Sequence, residues 1–224
     1  ALPKRGPVDL YSAGLSGLRG DSKAVVPDDG GTSHLSVLDA RGNAVALTTT
    51  VNLWFGSGQA DPGTGVVLND EMDDFAARPG EPNAFGLVQS SRNAPGPGRR
   101  PLSSMSPTLV VGPDCHVVLA VGAAGGPRII TSTLQVLLAV VDRGADAEAA
   151  LASKRIHHQW LPPTVYVEDG FPAEGRASLE AEGFTLGDLR SYAVAQAAVR
   201  SPEGVFTGGG DPRADGNAVV VPAP

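Results

Sequence analysis

Thr32 is the first residue whose setting invites chemistry. It stands where a run punctuated by Pro27, Gly30 and Gly31 gives way to an alternating apolar pattern. Alone, a threonine at such a junction is a β-branched residue opening a strand. Gly31 changes the question, because it offers an unhindered carbonyl and a permissive backbone directly before a hydroxyl. If the Thr32 hydroxyl adds to the Gly31 carbonyl, an N-to-O acyl shift gives an ester that water can hydrolyse. The new chain then begins with a threonine whose α-amine has a pKa of ~7.7–8.0. Such an amine is a general base near neutral pH, and it lies beside the hydroxyl it must activate. One residue then supplies both nucleophile and base.

Other polar clusters carry less on their own. Thr50 ends a Thr-Thr-Thr run, which read alone is strand propensity. Glu71, Asp73 and Asp74 read alone as a solvated acidic turn, and Ser103-Ser104 as a loop signature. Gly125 and Gly126 make a tight strand-to-helix turn. His157 and His158 invite a metal reading, but adjacent histidines on one helix or strand point apart. Packing and hydrogen bonding with Gln159 and Trp160 suit them better, and no metal is assigned. Cys115 is the sole cysteine, which excludes an internal disulfide, multi-cysteine zinc sites and CxxC redox chemistry. The strand-like run after it suggests a buried structural thiol.

These residues need a scaffold, and the pattern supplies one. Residues 33–39 alternate, Arg41-Gly42-Asn43 turns the chain, and residues 44–51 form a second strand. Residues 56–65 and 78–101 are glycine- and proline-rich loops, the second long enough to suggest a function. A second hairpin runs from Thr108–Val111 through Gly112-Pro113-Asp114 to 116–121. Apolar spacing predicts helices over 128–143, 147–154 and 172–182. Further strands are expected near 164–167, 192–199, 205–207 and 218–221. Antiparallel hairpins with helices covering sheet faces make an α+β fold.

The 224 residues suffice for one domain with a substantial core. A formal charge of −7 with scattered Lys and Arg argues against nucleic acid as a partner. The longest apolar stretches, 117–124 and 136–141, are far too short for a membrane span. The chain begins with Ala1 rather than Met and shows no leader, which fits either a beginning that has been removed or a piece of something longer.

Taken together, the segments are distinctive. Thr32-Ser-His-Leu-Ser-Val, Asn43-Ala-Val-Ala-Leu-Thr-Thr-Thr-Val-Asn52 and Phe55-Gly-Ser-Gly come first. Leu68-Asn-Asp-Glu-Met-Asp-Asp-Phe75 and Arg100-Pro-Leu-Ser-Ser-Met-Ser-Pro-Thr108 follow. Gly122-Ala-Ala-Gly-Gly-Pro-Arg-Ile-Ile130, His157-His-Gln-Trp-Leu-Pro162 and Gly210-Asp-Pro-Arg213 complete the series. In this order and at this spacing they resemble the small-subunit region of the γ-glutamyltransferase (γ-glutamyltranspeptidase) family, from Thr32 nearly to the C-terminus.

The resemblance implies an N-terminal-nucleophile hydrolase fold, a four-layer αββα sandwich of which this chain is the small-subunit half. Residues 1–31 would be the tail of the large subunit and 32–224 the catalytic domain. It implies Thr32 as nucleophile after cleavage between Gly31 and Thr32, with Thr50 orienting its hydroxyl. Asn52, Glu71 and Asp74 would hold a substrate α-ammonium, and Ser103 and Ser104 would donate to its α-carboxylate. Gly125 and Gly126 would offer backbone N–H groups to an oxyanion, helped by the start of a helix. Residues 79–100 fall where relatives carry a lid, and Phe85 keeps a ring there but lacks a hydroxyl.

The implied reaction is γ-glutamyl transfer or hydrolysis, on glutathione and similar compounds, with no cofactor. The implied partner is a large subunit from the same precursor, which supplies an arginine for the carboxylate. The resemblance favours a periplasmic or extracellular setting. A sister acylase acting on cephalosporin or poly-γ-glutamate, or an unprocessed inactive fragment, are the alternatives.

Overall fold

The computed structural model describes residues 31–190, 192–214 and 216–221. Apart from Gly31, the expected tail over 1–31 lies outside the described residues. Strand β1 (Thr32–Leu38) pairs antiparallel with β2 (Ala44–Thr50), and Thr32 faces Thr50 at the open end. Asp39 closes the turn by accepting from the N–H groups of Arg41 and Asn43 at 2.9 and 2.8 Å. Alternation gives the ribbon two faces. Thr32, His34, Ser36, Thr48 and Thr50 share one face, while Leu35, Val37, Val45 and Leu47 stand outward, each 46–49% exposed.

Strands β3 (Thr108–Val111) and β4 (Val117–Ala124) form the second hairpin. Helices α1 (Arg128–Val141) and α2 (Ala147–Ala152) follow, then β5 (Ile156–His157) and β6 (Thr164–Val167). Helix α3 (Ala173–Ala181) leads to β7 (Thr185–Asp188), and β8 (Val194–Arg200) and β9 (Phe206–Gly209) complete the fold. A four-stranded antiparallel sheet has the order β3-β4-β8-β9, and a three-stranded sheet the order β5-β6-β7. The β1–β2 ribbon packs on one face of β4 and β8, and α1 and α2 pack on the other. Three layers of a sandwich are therefore present among the described residues: ribbon, sheet, helices.

The core lies between sheet and helices. Leu119, Val121, Ala123, Ala195, Ala197 and Val199 meet Ile129, Val136, Ala139 and Leu151, all buried. Small alanines on β8 let α1 and α2 approach the sheet closely. A second, polar core joins the sheets. Arg213 bridges Glu168 at 2.6 Å and Asp211 at 2.9 Å, and Asp211 also holds Arg155 at 2.9 Å. Asp211 accepts from Ala195 N–H at 2.7 Å, and Arg155 donates to the Ala193 carbonyl at 3.0 Å. The Gly210-Asp-Pro-Arg213 segment thus clamps the start of β8 to the β5–β6 edge.

Four local expectations are corrected. Cys115 is exposed, not buried: it sits in the β3–β4 turn at φ 61°, before the strand begins. Residues 218–221 form no strand. Ala218 lies against Gly208, but Val219, Val220 and Val221 are 62–81% exposed with no ladder partner among the described residues. Their β-branched side chains suit a pleated surface that needs a neighbour to exist. Conversely, β7 forms although Thr-Leu-Gly-Asp shows no strand pattern, because α3 returns the chain parallel to β6. The two-residue β5 was also missed. No described helix is long and apolar enough to cross a membrane.

Candidate active site

The open end of the β1–β2 ribbon faces the end of β4, and a cavity of about 370 Å³ lies between them. Thr32, Thr50, Asn52, Glu71, Asp74, Phe85, Ser103, Ser104 and Gly126 all line it, so nine of the residues singled out above come together. Gly125 stands just behind, packed on Ala193, where a side chain at Gly125 would come within 2.6 Å of the Ala193 backbone.

Strand register builds the first part of the site. The Thr32 and Thr50 hydroxyl oxygens lie 2.9 Å apart, and Thr50 Oγ1 accepts from the Asn52 N–H at 2.7 Å. The ladder continues one residue beyond the strand, with Val51 N–H donating to the Gly31 carbonyl at 3.0 Å. Gly31 passes so close to Asn52 that an added Cβ would sit 2.4 Å from its carbonyl oxygen. Only glycine fits there. Asn52 is buried and takes φ 73°, a left-handed conformation that asparagine tolerates better than most residues. That bend turns the chain out of β2 and into the cavity wall.

The acidic segment is a 3₁₀ turn, Glu71–Asp74, opened by Asp70, whose carboxylate accepts from Leu53 N–H at 3.0 Å. Asp74 is half-buried. Burial first, and then the neighbouring Glu71, Asp70 and Asp73 carboxylates, raise its pKa to about 7. An acid in that setting gains most from a cation placed beside it. Ser104 is half-buried and Ser103 exposed; the Ser103 hydroxyl accepts from Met105 N–H at 3.2 Å.

Gly125 and Gly126 both have positive φ, 138° and 56°, and their carbonyls accept from the first N–H groups of α1. The pair therefore lies at the positive end of a 14-residue helix. Phe85 is buried with its ring against Gly126, where a Cβ would come within 2.9 Å. Gln159 donates to the Phe85 carbonyl at 3.4 Å and meets His157 Nε2 at 2.9 Å, while His157 Nδ1 meets Thr131 at 2.9 Å. Both ring nitrogens of His157 are thus used in packing the α1 start. Burial lowers the His157 pKa.

Asn93 was missed. It is buried, donates to the Asp74 carbonyl at 2.7 Å, bonds Gln89, and accepts from Leu102 N–H at 3.1 Å. One amide thus ties the acidic turn to the loop bearing Ser103 and Ser104. Nothing in Ser91-Arg92-Asn93 signals this locally, because both partners are backbone groups remote in sequence.

A threonine heading a strand in one of two stacked sheets, opposite a glycine pair at a helix start, belongs to the N-terminal-nucleophile hydrolase fold. The comparison with known proteins narrows the class. The gamma-glutamyltranspeptidase family model matches residues 12–221, and this chain belongs to that family. It is 45% identical over 81% of its length to the glutathione hydrolase proenzyme of Escherichia coli K12, of which it covers 31%. It is 48% identical over 73% of its length to that of Pseudomonas sp. strain A14, covering 28% of it. The chain thus spans about a third of these curated relatives. Among solved structures, a highly active mutant of gamma-glutamyltranspeptidase from Pseudomonas nitroreducens superposes with a TM-score of 0.74 at 44% identity. That match covers 85% of this chain and 99% of the other.

Proposed function

We propose that this chain is the catalytic part of an enzyme that transfers or hydrolyses γ-glutamyl groups, with Thr32 as its N-terminal nucleophile. The observation that carries the reading is the 2.9 Å contact between the Thr32 and Thr50 hydroxyls at the mouth of a cavity that also holds Asp74. Residues 32–224 form the catalytic domain, and residues 1–31 are the tail of the large-subunit region that precedes the cleavage point.

Self-cleavage comes first. Thr32 Oγ1 adds to the Gly31 carbonyl carbon, whose oxygen already accepts from Val51 N–H. The Gly31–Thr32 C–N bond breaks, leaving Gly31 esterified to the threonine oxygen and the α-amine free. Water hydrolyses the ester, so Gly31 leaves as a carboxylate and the hydroxyl is restored.

Catalysis then reuses the same oxygen. The Thr32 amine takes the hydroxyl proton while Oγ1 attacks the γ-carbonyl of the substrate, and Thr50 holds the hydroxyl in line. Gly125 and Gly126 offer N–H groups to the oxyanion. The proton passes to the departing amine, and the γ-glutamyl ester is resolved by water or by an acceptor amine. Asn52, Glu71 and Asp74 hold the α-ammonium, and Ser103 and Ser104 donate to the α-carboxylate. Nucleophile, base and oxyanion donors all come from the chain, so the reading assigns no cofactor and no metal. Phe85 and residues 79–100 cover the pocket. An acylase for side chains without a free amino-acid head has no use for the acidic turn.

The relatives are proenzymes about two and a half times as long, and the preceding part of such a precursor would supply the fourth layer and a guanidinium for the carboxylate. The test is complementation. Residues 32–224 alone should not cleave γ-glutamyl-p-nitroanilide, and adding the separately produced preceding half should restore turnover. Turnover by residues 32–224 alone, abolished by Thr32→Ala, would show that the site is self-sufficient. No turnover by the complete precursor would remove the reading.

A further inference from the structure

Beneath Thr32 on the same strand face lies a second polar group that the mechanism does not use. His34 Nδ1 meets Thr48 Oγ1 at 2.7 Å, its Nε2 meets Ser36 Oγ at 3.1 Å, and Ser36 Oγ donates to the Gln196 carbonyl of β8 at 3.3 Å. Because the Ser36 proton is committed to that carbonyl, Ser36 must accept from His34 Nε2–H. His34 Nδ1 then accepts from the Thr48 hydroxyl. The chain of bonds runs one way, from Thr48 through a neutral ring to the sheet below. Burial favours the same neutral form, lowering the His34 pKa to about 4.

The ring rests on Gly122 of β4. A Cβ at Gly122 would stand 2.2 Å from the ring carbon Cε1 and 2.5 Å from Nδ1. Gly122 pairs with Gln196 in the ladder, so the imidazole is seated on one residue and tethered through Ser36 to its cross-strand neighbour. This is the place where the ribbon bearing Thr32 touches the strand leading to Gly125 and Gly126. At a strand rise of ~3.3 Å per residue, Thr32 is about 7 Å from this contact along β1, and Gly125 about 10 Å along β4. Whatever thickness fills the gap there sets the spacing between the two sheets at their catalytic ends.

We propose that His34 is a positioning residue: its ring, seated on Gly122 and bonded to Thr48 and Ser36, fixes the distance from the Thr32 hydroxyl to the Gly125–Gly126 N–H groups. The proposal rests on the nucleophile and oxyanion roles given above. A side chain that only filled the core would show itself in stability. A spacer shows itself in the chemical step, because nucleophile and oxyanion donors must be held to within fractions of an ångström, and a misplacement of ~1 Å costs on the order of 100-fold.

The test uses the complete precursor carrying His34→Ala, Gly122→Ala or Thr48→Val, with Thr32→Ala as reference. Thr48→Val keeps the shape of the side chain and removes only the hydroxyl bonded to the ring, so it leaves the core filled. Self-cleavage is followed on denaturing gels, and kcat and KM for γ-glutamyl-p-nitroanilide are measured after processing. Expected is a fall in kcat and in cleavage rate of about 10-fold or more for His34→Ala and Gly122→Ala. For Thr48→Val the expected fall is about 3-fold, with KM within about twofold of the parent in every case. Parental kcat in Thr48→Val, or losses confined to KM, would overturn the proposal while leaving Thr32 as nucleophile. Cleavage and turnover that survive Thr32→Ala would overturn the functional reading itself, and the proposal with it.

Discussion

The hydroxyls of Thr32 and Thr50 meet at 2.9 Å because the two residues face each other in the antiparallel ladder. Strand register, not a flexible loop, therefore aims the hydroxyl of Thr32, the proposed nucleophile, and a one-residue slip would turn Thr50 to the other face. Thr50 Oγ1 accepts from Asn52 N–H, and in its contact with Thr32 Oγ1 either hydroxyl can donate. Thr50→Val keeps the strand but removes this partner. Self-cleavage and kcat should each fall by about 100-fold, the size seen when one preorganised partner is removed. A loss under threefold in gel and turnover assays would show that Thr50 does not orient Thr32.

The proposed role of Asp74 predicts that recognition depends on pH. Burial and three neighbouring carboxylates raise its pKa to about 7, yet an ammonium clamp needs the ionised form. The value of kcat/KM should therefore fall as pH drops through about 7, as Asp74 takes up its proton. Asp74→Asn should lower kcat/KM at pH 8 by at least 10-fold and flatten that limb. An unchanged limb in the variant assigns the titration to another group.

The same shift has an opposite consequence for folding. A carboxyl whose pKa is higher in the folded than in the unfolded protein contributes stability at low pH. That contribution is lost between the unfolded value, about 3.9, and the folded one. At pH 8 the native protein carries the unrelieved cost, so Asp74→Asn should unfold at a higher temperature than the parent there. The difference should vanish near pH 4. Thermal scans at both pH values check this; a less stable variant at pH 8 contradicts it.

Asn93 predicts a coupled loss. Removing its amide takes one of two donors from the Asp74 carbonyl, which keeps Gln89 Nε2 at 3.2 Å, and leaves Leu102 N–H without that partner. Both ends of the substrate head should loosen, so Asn93→Ala should raise KM for γ-glutamyl-p-nitroanilide about 10-fold or more. An unchanged KM would mean that the two loops hold their positions without it.

Asp211 is a matter of stability alone. It sits fully buried between Arg155 and Arg213, and Asp211→Ala leaves two guanidinium groups short of a partner. Breaking such a pair costs about 3–5 kcal/mol. Urea unfolding of the processed enzyme should show that loss, and a shift below about 1 kcal/mol would mean that the remaining Glu168 suffices.

The hairpin carrying Thr32 and Thr50 was legible in the sequence because strict alternation and the Arg41-Gly42-Asn43 turn are local signals. So were α1, with its apolar spacing after Gly125-Gly126-Pro127, and the order of the motifs that come together at the cavity. Asn93 was not, since its partners are backbone groups set by the path of a long loop. Nor was β7, whose pairing depends on α3 bringing the chain back beside β6. Residues 219–221 misled for the converse reason: their side chains ask for a sheet that no described neighbour provides. Asp74 read as a solvated turn because burial is a property of the folded walls around it.

The central claim is that Thr32 becomes the amino terminus and the nucleophile. N-terminal sequencing of the complete precursor after purification and incubation tests it most directly. The account predicts a new chain beginning Thr-Ser-His-Leu in the parent and an uncut protein in Thr32→Ala. A new terminus at any other residue, or cleavage at this bond in Thr32→Ala, would contradict it.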